Sequence, residues 1–208
     1  MGMLVLGEMS RPLNAYAQPW RALRGEKIDV RIEGARSYPE AVSHLRARRW
    51  DVLLGFSPVV SMEALAAGYR PIGRMFPGEL EYHSILFSRK GSDLRRIEDI
   101  NSTTRIALGD FFSASKYYLP MSMLRGRSAR IAINLSTAEI ADQVRSGKAD
   151  IGAMAGSPQR FTSLNPAFAI VAVSAPLPAS LIALSPELDD LDRNRLEQAL
   201  VGSISLWR

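Results

Sequence analysis

Apolar positions along the chain switch between two spacings. Some form short runs of strand length, and others recur every three to four residues, as one face of a helix does. Residues 3–7 are a short apolar run, residues 14–24 carry helical spacing up to a stop at Gly25, and residues 27–32 alternate like a second strand. Ser37, Pro39 and Glu40 have the spacing of a capping box with proline in the first turn. The helix they open places Ala41, Val42 and Leu45 on one face and stops near Arg49. Residues 50–56 are almost continuously apolar, as a strand covered on both faces requires. A helix over 61–67, stopped by Gly68, and an extended segment over 69–75 complete a β-α-β-α-β alternation.

Residues 76–81 break the pattern with a proline–glycine turn, after which it starts afresh. Strands are predicted over 82–89, 105–109, 130–134 and 149–154, with helical stretches over 97–100 and 113–124 between them. Thr137 is expected to cap a helix that runs to Ser146 and ends at Gly147. Two further strands follow over 169–174 and 180–185. A final helix over 190–203 has Leu191, Leu196, Leu200 and Ile204 as its apolar positions. The spacing predicts an α/β protein of two lobes with a return segment.

Composition adds mainly exclusions. At 208 residues and 47% hydrophobic, the chain can bury a core and is not disordered. The absence of cysteine removes disulfides, thiolate metal sites and a cysteine nucleophile, and two histidines, His44 and His83, leave little for histidine-based metal chemistry. Residues 161–186 contain no charged side chain, but Pro166, Pro176 and Pro178 interrupt them, which favours two buried strands over a membrane span. The first residues lack the basic and apolar regions of a secretory signal. A net charge of +5 favours anionic ligands only weakly. The cluster Arg46, Arg48 and Arg49 reads as a solvated helix end opposing a dipole, rather than a nucleic-acid patch, with His44 at the surface beside it. Asp189, Asp190 and Asp192 suit a helix start. Dinucleotide, Walker, nucleophile-elbow and zincin signatures are all missing.

The segment richest in chemistry is Gly109-Asp110-Phe111-Phe112-Ser113-Ala114-Ser115-Lys116-Tyr117-Tyr118-Leu119-Pro120. A strand ends at Gly109 and a helix begins within Ser113–Ser115. Free backbone N–H groups and serine hydroxyls therefore converge with the positive end of a helix dipole, as phosphate, sulfate or carboxylate binding requires. Lys116 adds a full charge if it turns inward. The plain alternative is that Ser113 only caps its helix.

This segment resembles the Asp-Pro-x-Ser-Thr-Ser-Gly-x-x-x-Pro signature of the phosphonate-binding family of periplasmic solute-binding proteins. Asp110, Ser113, Ser115 and Pro120 match at their spacing; Ala114 replaces the usual threonine and Lys116 the usual glycine. The first change removes a hydroxyl donor, and the second adds bulk and charge beside the anion. Ser37-Tyr38-Pro39-Glu40-Ala41 resembles the family's Ser-Tyr-x-x-Ala. Asp51–Gly55 resembles a strand that leads to a ligand-side loop at Ser57, and Tyr82-His83-Ser84 lies at the expected crossing into the second lobe. Residues 146–153 resemble the family's Ser/Asn-Gly-x-Ala-Asp-x-Gly run, although the excursion that usually precedes it is trimmed to residues 125–129.

The resemblance implies the two-lobed type 2 periplasmic-binding-protein fold, each lobe a mixed sheet flanked by helices, with a ligand cleft between the lobes. Residues 1–78 plus 179–208 would form the first lobe and 79–178 the second, closing about hinges near 76–82 and 174–180. It implies a monomeric, periplasmic or otherwise extracytoplasmic protein, its signal peptide not present in this chain. Such a protein captures phosphonate, phosphate or phosphite for an ABC-importer permease, without cofactor, metal, nucleic acid or catalysis. Ser113, Ala114, Ser115 and Lys116 are the expected ligand contacts, joined by Tyr38, Tyr82, Ser57 and Asp150. Tyr38 could equally cover its helix's first turn, Tyr82 serve as a strand aromatic, Ser57 as a turn residue and Asp150 as a strand-end brace. The rival reading is a sensor module that signals to a membrane partner. An enzyme would have only Tyr82 and His83 as an acid–base pair.

Overall fold

The computed structural model describes residues 3–9, 29–35, 37–55, 57–74, 81–178, 181–200 and 205–206. The helix expected over 14–24 and most of the break at 76–81 lie outside them. The chain divides into two compact units, Met1–Leu80 with Pro178–Arg208, and Glu81–Leu177.

The first unit contains strands β1 (Met3–Met9), β2 (Asp29–Ala35), β3 (Val52–Gly55), β4 (Arg70–Arg74), β11 (Leu181–Leu184) and β12 (Ser205–Leu206). They form one mixed sheet in the order β12-β4-β11-β3-β1-β2. β1 runs parallel to β2 and β3, with Leu6 opposite both Ile32 and Val52. β11, from the return segment, lies antiparallel between β3 and β4.

Helix α1 (Tyr38–Arg46) starts where Ser37 Oγ accepts the N–H of Glu40 at 3.3 Å, and it buries Ala41, Val42 and Leu45. Helix α2 (Pro58–Ala66) has proline in its first turn and ends before Gly68, whose φ of +91° stops the helix without strain. Their buried faces pack with fully buried Trp50 and Leu53 and with Leu181 and Ala183. The basic cluster is ion-paired as well as exposed: Arg46 with Glu63 at 2.8 Å, Arg48 with Glu187, and Arg49 with Glu33. His44 is not a plain surface residue. Its ring meets Trp50 edge to face at 5.1 Å, and its buried Nδ1 has no hydrogen-bond partner among the described residues.

Tyr69 donates its hydroxyl to the Trp50 carbonyl at 2.7 Å, and burial pushes its pKa up to about 12 from 10.0. The folded value is the higher one, so this contribution to stability is complete below pH 10 and lost as pH rises towards 12. Tyr69→Phe is expected to cost about 1 kcal/mol at neutral pH and to flatten that alkaline decline, read from denaturant titrations at neutral and alkaline pH.

The second unit contains β5 (Glu81–Arg89), β6 (Arg105–Ala107), β7 (Arg130–Ala132), β8 (Ile151–Gly156), β9 (Phe168–Val173) and the two-residue β10 (Leu177–Pro178) at its end. The order β9-β5-β8-β6-β7 is antiparallel around β5 and parallel from β8 to β7. Side chains alternate across the sheet, so β5, β6, β8 and β9 each feed two cores. On one face Ile85, Phe87 and Ala107 pack with Ile140 and Val144 of α4 (Thr137–Ser146) and Phe161 of α5 (Pro158–Leu164). On the other, Leu86, Ile106, Leu108, Ile151 and Ala153 pack with Ile100 and Leu124. That face is covered by a 3-10 turn (Ile97–Asp99) and by a π turn (Ala114–Tyr118) that continues into helix α3 (Leu119–Met123).

Several boundaries differ from the sequence reading. α4 is capped by Ser136, not Thr137: Ser136 Oγ accepts the Glu139 N–H at 3.2 Å, while Glu139 accepts the Ser136 N–H at 2.7 Å. The carboxylate three residues on selects the earlier hydroxyl. Helix α5 was not anticipated, although Ser157 caps it and proline occupies its first turn. The last helix, α6 (Asp190–Leu200), begins where Asp189 Oδ1 accepts the Asp192 N–H at 2.8 Å. It buries Leu196, but Leu191 is 69% exposed. No described helix is long and apolar enough to cross a membrane.

Candidate functional site

Because β6, β7 and β8 are parallel, their carboxyl ends share one edge of the second unit's sheet. β5 runs the other way, so its first residues reach the same edge, where His83 pairs with Gly156. The carboxyl edge is where an open α/β sheet presents loops and helix starts to a ligand. Three helical segments begin there, capped by Ser113, Ser136 and Ser157, each accepting the N–H of the third residue on at 3.2–3.3 Å. Positive dipole ends therefore converge on this edge.

The loop after β6 is tightly built. Asp110 accepts the Phe112 N–H through Oδ1 at 2.7 Å and the Ser113 N–H through its carbonyl at 2.9 Å. Gly109 donates its N–H to the Lys116 carbonyl at 3.0 Å. A β-carbon on Gly109 would stand 2.6 Å from Lys116 Cβ, so only glycine allows the chain to fold back so closely. The Ser113 carbonyl accepts from Tyr117 and Tyr118 at 3.0 and 3.2 Å, which widens the first turn into a π turn, a feature frequent at functional sites. The N–H groups of Ala114 and Ser115, in that first turn, have no acceptor within the helix. Ser84 Oγ braces the turn from β5 by donating to the Ser115 carbonyl at 2.6 Å.

Ser113, Ala114 and Ser115 are all buried, at 2%, 7% and 6% exposure, so their donors are shielded from bulk water. Ser113 Oγ accepts the Lys116 N–H and keeps its own proton to donate. Lys116 lies partly buried along Gly109, with Nζ donating to Thr137 Oγ1 in the first turn of α4 at 3.4 Å. Burial holds its pKa below the ordinary lysine value, partly offset by the charge of Asp110. A cation at the positive ends of two helices is electrostatically opposed, and an anion bound among these groups would relieve that opposition.

The remaining candidates are distributed differently. Tyr82, half-buried, is the second residue of β5, at the same carboxyl edge. Beside it, His83 donates from Nδ1 to the Ser174 carbonyl at 2.9 Å. Tyr38 and Ser57 belong to the first unit: Tyr38 in the first turn of α1 against the core, and Ser57 buried at the start of α2. Asp150 stands at the opposite, amino ends of β6 and β8. There it accepts from the Arg105 backbone N–H at 2.8 Å and from the Arg105 guanidinium at 2.6 and 3.1 Å. The structure does not bring Asp150 to Ser113–Lys116. Those Arg105 hydrogen bonds hold its carboxyl below the usual carboxylate range. Gly109, Ser84 and Thr137 were not singled out as site residues. Gly109 closes the predicted strand and Thr137 opens a helix start, but only the folded chain sets them beside Lys116. Among the described residues no group of three or more His, Cys, Asp or Glu side chains could hold a metal ion.

Residues 12–203 match the family described as ABC transporter, phosphonate, periplasmic substrate-binding protein. No curated protein matches the chain. Among solved structures, XAC2383 from Xanthomonas citri bound to ATP is similar at a TM-score of 0.75 and 23% identity, over 96% of this chain and 82% of that one. The same protein bound to chloride gives 0.76 at 23% identity, over 96% and 83%. PhnD1 from Prochlorococcus marinus in complex with methylphosphonate gives 0.69 and 15% identity, over 95% and 83%. The architecture shared with these chains is the two-lobed type 2 periplasmic-binding-protein fold.

Proposed function

Since the chain belongs to the family of phosphonate substrate-binding proteins of periplasmic ABC transporters, we propose that it captures a small phosphorus oxyanion at the carboxyl edge of the second unit. The family serves transport rather than catalysis, and delivery to the membrane component of an ABC importer is the role that follows. The observation that carries the proposal is Lys116, a partly buried cation held against Thr137 at a helix start, beside the buried Ser113–Ser115 turn. Such an arrangement is costly when empty and is relieved by an anion. The Ala114 and Ser115 N–H groups, the Ser113 and Ser115 hydroxyls and the Lys116 ammonium are the proposed donors, with Tyr82 beside them on β5. A phosphonate, phosphate or phosphite group offers the three oxygens that so many donors require. Backbone N–H donors survive the replacement of the family's threonine by Ala114, and Lys116 compensates for the hydroxyl that is lost.

Calorimetry against phosphate, phosphite, methylphosphonate and 2-aminoethylphosphonate tests the proposal. At least one should bind, and Ser115→Ala should weaken it about tenfold, the loss of one hydrogen bond to a charged group. Absence of heat from all four would overturn the anion reading.

A further inference from the structure

The loop that carries the anion donors also carries an aromatic platform that anion binding leaves unexplained. Phe111 lies between Asp110 and Ser113, so its Cα is within about 8 Å of the serine's. Its ring touches those of Phe112, Tyr117 and Tyr118, with centroids at 5.6, 5.1 and 5.4 Å. In spite of three ring partners Phe111 is 46% exposed, and Tyr118 is 41% exposed beside it. The backbone beneath is fixed by the two hydrogen bonds to Asp110 and by the π turn. A rigid, partly solvent-facing group of π surfaces has thus been built next to the phosphorus-oxyanion donors. A methyl substituent would gain little from it, and an aminoethyl ammonium a single cation–π contact. A planar ring gains offset-stacked or edge-to-face contacts beyond its buried area, with little further ordering of the protein.

We infer that the site prefers a phosphate or phosphonate that carries an aromatic or heteroaromatic ring, with the ring on Phe111 and the oxyanion at Ser113–Lys116. The inference rests on the anion site proposed above and names its ligand class more closely.

The test is calorimetry with inorganic phosphate, methylphosphonate, phenylphosphonate and adenosine monophosphate, on the unmodified protein and on Phe111→Leu, which keeps apolar bulk but removes the π face. Phenylphosphonate or the nucleotide should bind at least about tenfold more tightly than methylphosphonate, the usual worth of one aromatic stack. Phe111→Leu should bring that ratio towards one, and Tyr118→Ala, a second variant, should lower it. A preference for phenylphosphonate alone points to a directly attached ring, and a preference for adenosine monophosphate alone to a nucleotide. Equal affinity for methylphosphonate and both aromatic ligands, or a ratio unmoved in either variant, would overturn the inference while leaving the anion site intact. Silence from every ligand, phosphate and methylphosphonate included, would overturn both.

Discussion

Gly152→Ala is expected to cost about 3 kcal/mol of stability, the upper range for overpacking a core, and to lower the thermal midpoint by about 6–12 °C. Gly152 lies on β8 opposite Phe87 of β5. A β-carbon there would stand 2.6 Å from Phe87 Cζ and 2.7 Å from Ile140 Cγ2. Neither neighbour can retreat. Both are fully buried, and the Phe87 ring is held by Phe168 at 4.8 Å and Phe161 at 5.3 Å. Gly156, on the same strand, is the control. Its added β-carbon would meet nothing nearer than Ile85 Cδ1 at 3.9 Å, so Gly156→Ala should shift stability by less than about 1 kcal/mol. Equal midpoints for the two variants in differential scanning calorimetry would refute this account of the core. The final glycine of the Ser-Gly-x-Ala-Asp-x-Gly run thus has a packing reason, distinct from any contact with solute.

Lys116→Met should move stability and affinity in opposite directions. Burial places the folded pKa of Lys116 below its ordinary 10.5. Between the folded value and 10.5 the unfolded chain therefore binds more protons, and stability rises with pH in that window. At neutral pH the folded protein bears the full cost of the ionised ammonium, and methionine, with a similar apolar stem, removes it. The variant should melt at or above the unmodified protein. It should bind the phosphorus oxyanion about 10- to 100-fold more weakly, as expected for a lost charge-assisted hydrogen bond. A bound anion favours the ammonium, so affinity in the unmodified protein should fall as pH rises through the free-state value of Lys116. In the variant that alkaline limb should vanish. Affinity unchanged by the substitution, or an alkaline limb that persists without Lys116, would sink this role.

Much of the architecture was legible because its signals are local. Ser37 with its helix, the C-terminal stop at Gly147 and the buried run around Leu53 are set by neighbours within four residues. What escaped the sequence depends on distant partners. Ser136 and Thr137 are both acceptable caps until the reach of Glu139 chooses between them. Leu191 has helical spacing, yet it is 69% exposed, since burial is decided by what packs against a turn and not by spacing. Helix α5 falls between the predicted strands 149–154 and 169–174, where no element was expected, although Ser157 and Pro158 announce its start. At the site, the serines and the lysine were visible in the motif. The fold-back of Gly109 under Lys116 and the brace from Ser84 were not, since both join residues that only the folded sheet brings together.

The return strand β11 also governs when the first unit can assemble. It lies in the middle of its sheet and supplies the partner for both β3 and β4, yet the whole stretch Glu81–Leu177 precedes it in the chain. During synthesis β4 therefore has no sheet to join until residues 181–184 have emerged, while the second unit, an uninterrupted segment, can condense from contacts already made. Folding should proceed out of sequence order, the inserted unit first and the completion of the amino-terminal sheet around β4 last. A chain that ends before β11 would then protect the amides of β5 and β8 from hydrogen exchange and leave open those of β4, whose sheet partners are β11 and β12.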